Sequence, residues 1–225
     1  MKKILLVTLV ALTSIGSQAQ TAKFHDGMKK ALTLMDSAKT GDDFMNVANS
    51  FERIAMAEKN QWLPYYYSAL ARTTALFIYN DVTRNDAVLD VAEKHAMKAD
   101  SLSPNNSEIF VLRSMIFGGR IMVDPMSRGQ MYGMQSMMLL QQAMTADPNN
   151  PRSYYIMGQS LFYTPPQFGG GKEPGCKMFE TALQKYSIFV PQSDLHPNWG
   201  LDQVNQMLSQ CSATTDPNTG KSGGN

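Results

Sequence analysis

The sequence predicts an all-α fold, a solenoid of about four helical hairpins closed by a C-terminal capping helix. Three observations carry this. Residues 99–106 (ADSLSPNN) and 143–150 (AMTADPNN) repeat one joint, with an alanine five residues before Pro-Asn-Asn, and Pro104 and Pro148 lie 44 residues apart. Apolar residues recur at helical spacing through most of the chain. No stretch shows the strict alternation of a half-buried strand.

The elements follow in order. Phe24, Met28, Ala31, Leu32 and Met35 make one apolar face of a first helix. Gly41-Asp42-Asp43 ends it and caps a second, with Phe44, Val47, Ala48, Phe51, Ile54 and Ala55 at the same spacing. Pro64 sits in the first turn of a third helix, which runs to about Tyr79; its missing N–H costs nothing there. A fourth helix spans about Asp86 to Leu102 and a fifth Ser107 to about Met122, where Gly118-Gly119 is expected to bend or stop it. The sixth runs from Met126 to Ala146, the seventh from Pro151 to Tyr163, the eighth from Glu173 to Phe189 and the ninth from Pro197 to Cys211. Taken in pairs, the units are 22–60, 62–104, 106–148 and 151–190, with the ninth helix covering the open end.

The ends differ in character. Lys2 and Lys3 precede an apolar run from Ile4 to Leu12, and Ser17-Gln18-Ala19 is a small-x-small cleavage site. Residues 1–19 therefore read as a signal peptide, with cleavage after Ala19. The run is too short to span a bilayer, and no cysteine follows it to carry a lipid anchor. A periplasmic or secreted protein is expected, with residues 20–211 as the helical domain. Residues 212–225 are Ser/Thr/Gly/Asn-rich and expected to be disordered. Loss of Lys2 and Lys3 from the 20 basic residues leaves 18 against 19 acidic ones, so the mature net charge is −1. That excludes the basic stripe of a nucleic-acid binder, and no second long apolar run offers a transmembrane helix.

Cys176 lies near the start of one helix and Cys211 at the end of the next. Those ends are neighbours in an antiparallel hairpin, and an oxidising compartment permits a bridge. It would close a loop of about 35 residues and contribute about 3–4 kcal/mol; two free buried thiols are the alternative.

At these positions the chain resembles the tetratricopeptide repeat. Tyr154, Met157 and Gly158 match the markers of that family's first helix, and Gly175, Phe179 and Ala182 those of its second. One unit earlier, Phe110 and Ser114 fit the first helix, and Ser136, Leu140, Ala143 and Pro148 the second. Ala92, Ala96, Ala99 and Pro104 fit the second helix of the unit before that. The resemblance implies a right-handed α-α superhelix. It departs in period, 44 residues here against about 34 in the family, and Pro191 follows Ala182 by nine residues. The surplus is expected in enlarged turns within the pairs, at 80–86, 122–128 and 164–172.

The chemistry-bearing residues do not assemble into a catalytic set, so no enzyme is expected. His25, His95 and His196 are far apart, with no zinc-protease spacing. Gly158-Gln159-Ser160 lacks the second glycine of a nucleophile elbow, and nothing in the setting of Glu173 and Glu180 would split their pKa values. The loop from Thr164 to Lys172 (TPPQFGGGK) lacks the spacing and the preceding strand of a phosphate loop. It reads as a rigid turn with Phe168 pinned to the core, or as the rim of a groove. Met131, Met134, Met137 and Met138 share or approach one helical face, with Met144 beyond. Thioethers there suit Cu(I), but core filling or an adaptable groove is the expectation, and no cofactor or metal is expected.

In a tetratricopeptide stack the first helices line the concave face. That places Tyr65, Tyr66, Arg72, Arg113, Arg120, Tyr155 and Gln159 on an aromatic-basic surface with Phe168 at its rim. The function expected is a non-enzymatic scaffold holding a protein or peptide there. The alternative is a periplasmic small-solute-binding accessory protein of a transporter, which the phenylalanine-glycine-glycine loop resembles.

Overall fold

The computed structural model describes residues 22–79 and 85–212. The predicted signal peptide and the tail beyond Ser212 lie outside the described residues. The chain folds as α1 (22–37), α2 (Gly41–Ala57), α3 (Trp62–Ile78), α4 (Asn85–Leu102), α5 (Ser107–Val123), α6 (Pro125–Ala146), α7 (Pro151–Tyr163), α8 (Lys172–Tyr186) and α9 (Leu201–Ser212). A single 3-10 turn, Pro166–Phe168, interrupts the segment between α7 and α8. No strand occurs among the described residues. The fold is all-α and solenoid-like, with consecutive helices packed as hairpins and α9 packed on α8. The odd-numbered helices also touch one another, α3 against α5 and α5 against α7. They form an inner row.

The repeated joint has a local cause. Asn105 adopts a left-handed backbone (φ 57°), which asparagine tolerates better than most side chains. Asn106 then caps α5 by accepting from the Glu108 N–H at 2.9 Å, and Asn150 caps α7 by accepting from the Arg152 N–H at 3.0 Å. The joints also meet: Asn150 Nδ2 donates to Ser107 Oγ (2.9 Å), and that hydroxyl donates to the Ala143 carbonyl (2.9 Å).

Small residues set the close helix crossings. Ser136 of α6 donates to the Ser114 carbonyl of α5, and Ser68 of α3 to the Ala48 carbonyl of α2. At the α7–α8 crossing, a Cβ on Gly175 would lie 2.7–2.9 Å from Phe162, and one on Gly158 would lie 2.6 Å from the Phe179 ring. Apolar side chains fill two core regions, one across α1 to α5 and one across α5 to α9. Met115 and Trp199 pack against both.

Three expectations are corrected. The surplus in the third unit is not a loop: α5 and α6 are separated by Asp124 alone, and the extra residues lengthen the helices. Gly119 is buried against Leu89, and α5 runs through Gly118-Gly119 to Val123. Phe168 is 76% exposed rather than pinned to the core. The C-terminal helices are also shorter than expected. Between α8 and α9, residues 187–200 form a non-helical strap.

Candidate functional site

The strap is held by the inner row. Tyr67 of α3 donates to the Leu195 carbonyl at 2.9 Å, and Trp199 Nε1 donates to Tyr66 Oη at 3.0 Å. Tyr186 donates to the Trp199 carbonyl at 2.7 Å. Asp194 reaches α1, pairing with His25 at 3.0 Å and Lys29 at 3.4 Å. The His25 hydrogen bond holds its carboxyl below the usual range.

Arg152 is the hub. It is fully buried, forks onto both carboxylate oxygens of Glu108, and lies 4.5 Å from the centroid of the Phe189 ring. Burial works against its charge, but the attraction and hydrogen bonds of Glu108 outweigh it and raise the pKa. Burial also lifts the Glu108 carboxyl, with Arg152 pulling the other way.

Between the strap and the joints lies a cavity of about 540 Å³, within the range of small-molecule sites. Its walls come from the start of α3 (Trp62), from both Pro-Asn-Asn joints (Pro104, Asn105, Asn106 and Asn149 among them) and from the strap (Ile188, Phe189, Val190, His196). The His196 ring meets Trp62 edge-on at 5.7 Å, and its Nδ1 pairs with Ser193 Oγ at 2.7 Å. Burial lowers its pKa, which favours the neutral imidazole.

The residues expected on a concave face are dispersed. Tyr66 and Tyr155 are core, at 0% and 6% exposed, so they offer a partner almost no surface. Arg72 is buried between α2, α3 and α4, bonded to Glu52 (2.5 Å), Ser68 (2.7 Å) and Asn49 (3.2 Å). Arg113 and Arg120 turn to acids of α4, Glu93 at 2.9 Å and Asp90 at 2.8 Å. Tyr65 is half-buried beside His95, and Gln159 is half-buried on α7. Phe168 stands on the α7–α8 segment with Gly169 and Gly171 in positive-φ conformations. None of these residues lines the cavity.

Sequence reasoning missed the strap, Trp62, Glu108, Trp199 and the place of His196 in the cavity wall. The signal was present in 191–200 (PQSDLHPNWG), where prolines and a glycine (Gly200, φ 111°) break helical spacing.

Cys176 and Cys211 form a disulfide that ties α9 to α8, as expected. Among the described residues no helix is long and apolar enough to cross a membrane, and no cluster of three His, Cys, Asp or Glu side chains could hold a metal.

No protein-family model and no curated protein sequence matches the chain. A solved structure does: the HusA haemophore from Porphyromonas gingivalis superposes with a TM-score of 0.78 at 34% identity, covering 88% of this chain and 97% of that one. The chain belongs to the family of that haemophore.

Proposed function

We propose that this protein is a non-enzymatic carrier of haem or a closely related tetrapyrrole, exported from the cell and binding its cargo between strap and joints. The observation that carries the reading is kinship with a haemophore across nearly the whole of both chains. The cavity supports it. Trp62, Phe189 and Val190 offer apolar contact to a flat ring, and the Asn105, Asn106 and Asn149 amides offer polar groups at its edge. Burial favours the neutral form of His196, whose Nδ1 is engaged and whose Nε2 has no partner among the described residues. With the proton on Nδ1, donated to Ser193, Nε2 offers the lone pair through which histidine ligates iron. The disulfide fits an oxidising compartment and supports the signal-peptide reading of residues 1–19. The hairpin order and the small residues at the crossings support descent from a tetratricopeptide-like stack. A peptide-binding concave face draws less support, because the chain's own strap and burial occupy its key residues.

The test is a haem titration of the chain from residue 20, followed in the Soret band. Saturable one-to-one binding is expected. His196→Ala should alter the Soret maximum and weaken binding at least tenfold, about 1.4 kcal/mol, while Glu173→Ala, at an exposed pair on α8, should leave both unchanged. Absence of saturable binding would refute the carrier reading. An unchanged spectrum in His196→Ala would refute the ligand assignment.

A further inference from the structure

The methionines of α6 divide into two sets. Met137 and Met144 pack against the second core region. Met131, Met134 and Met138 face outward, at 48%, 61% and 59% exposed. Core filling accounts for the first set only. At 100° per residue the outward three lie within an arc of about 60° on the helix surface. Large apolar side chains massed on one exposed face are uncommon without a use.

The surroundings are chemically selective. Arg128 is the only charged side chain from Pro125 to Ala146, and Asp86 holds it through two hydrogen bonds of 2.7 and 2.9 Å. The helix contributes no carboxylate, imidazole or thiol. The three thioethers are soft, uncharged donors. Such a set favours a soft monovalent ion over Zn²⁺, Ca²⁺ or Mg²⁺, which want nitrogen or hard oxygen donors.

We propose that Met131, Met134 and Met138 form a surface site for Cu(I), with each sulfur as a ligand. Met134 and Met138 are one helical turn apart, so their side chains are neighbours. Met138 leans toward the helix N-terminus, as helical side chains do, which brings its sulfur over Met134. Met131 lies about 4.5 Å from Met134 along the axis, within the span that flexible side chains with three rotatable bonds can close. The site is separate from the cavity, none of whose lining residues belongs to this stripe. It stands whether or not the protein carries a tetrapyrrole.

The test is Cu(I) transfer from the chromophoric chelator bicinchoninate to the mature protein, with ascorbate as reductant so that the Cys176–Cys211 bridge stays closed. Withdrawal of one equivalent of copper at micromolar protein is expected. The variant M131L/M134L/M138L keeps the apolar volume and should bind at least tenfold more weakly, with an unchanged circular dichroism spectrum. M134L alone should lie between the two, and M144L should match the parent. No withdrawal by the parent protein would overturn the site, as would equal withdrawal by parent and M134L.

Discussion

At the scale of single residues, the fold turns on a few buried polar groups. Arg152 is enclosed and has one carboxylate, Glu108, to answer its charge. Removing that partner strands the guanidinium. Glu108→Ala should therefore cost about 3–5 kcal/mol in urea unfolding, whereas Glu173→Ala, at an exposed helical pair with Lys177, should change little. Arg152 also explains why an arginine can be misread from sequence. Its carboxylate partner lies 44 positions earlier in the chain, out of reach of any reading of local spacing. The same holds for Arg72, Arg113 and Arg120, each answered by an acid from a neighbouring helix. Which acid meets which arginine depends on helix packing, and spacing along the chain does not encode it. His95 gives a pH prediction. It is buried, Nδ1 pairs with Ser68 at 3.0 Å, and burial followed by the Arg72 charge lowers its pKa. The fold thus favours neutral imidazole. Its contribution is fully present above the unfolded value of about 6.5 and is lost as pH falls below that toward the folded value. His95→Gln should flatten the decline in unfolding free energy below about pH 6.5.

At the scale of elements, helices were legible and the strap was not. Helix starts were marked by Pro64, Ser107 and Pro151, and the structure keeps each within two residues of the expected boundary. Those signals are local: a cap or a first-turn proline acts on its own helix. The break in helical spacing at 191–200 was visible, but the bonds that seat the strap on Tyr66 and Tyr67, 133 and 128 positions from their partners, lie in no window of sequence. The turn between α5 and α6 shows the converse, because surplus length implied a loop and the chain used it as helix. The disulfide is the chief covalent tie on α9, which also buries Val204 and Met207 in the second core region. Cys176→Ser with Cys211→Ser should lower stability by about 3–4 kcal/mol. Hydrogen exchange should then rise first in α9, with α3 and α5 the last to change.

At the scale of the whole molecule, the hairpin stack is a frame, and the strap turns one edge of it into a walled cavity. The Pro-Asn-Asn joints that mark the fold in sequence also supply one wall. The proposed cargo site therefore lies where the inner row meets the C-terminal strap. The central claim is that the cargo sits in this cavity, and hydrogen exchange with and without haem tests it most directly. The account predicts protection concentrated in residues 103–108, 146–149 and 187–197, with α2 and the exposed face of α6 unchanged. Protection elsewhere, with those three segments unaffected, would contradict it.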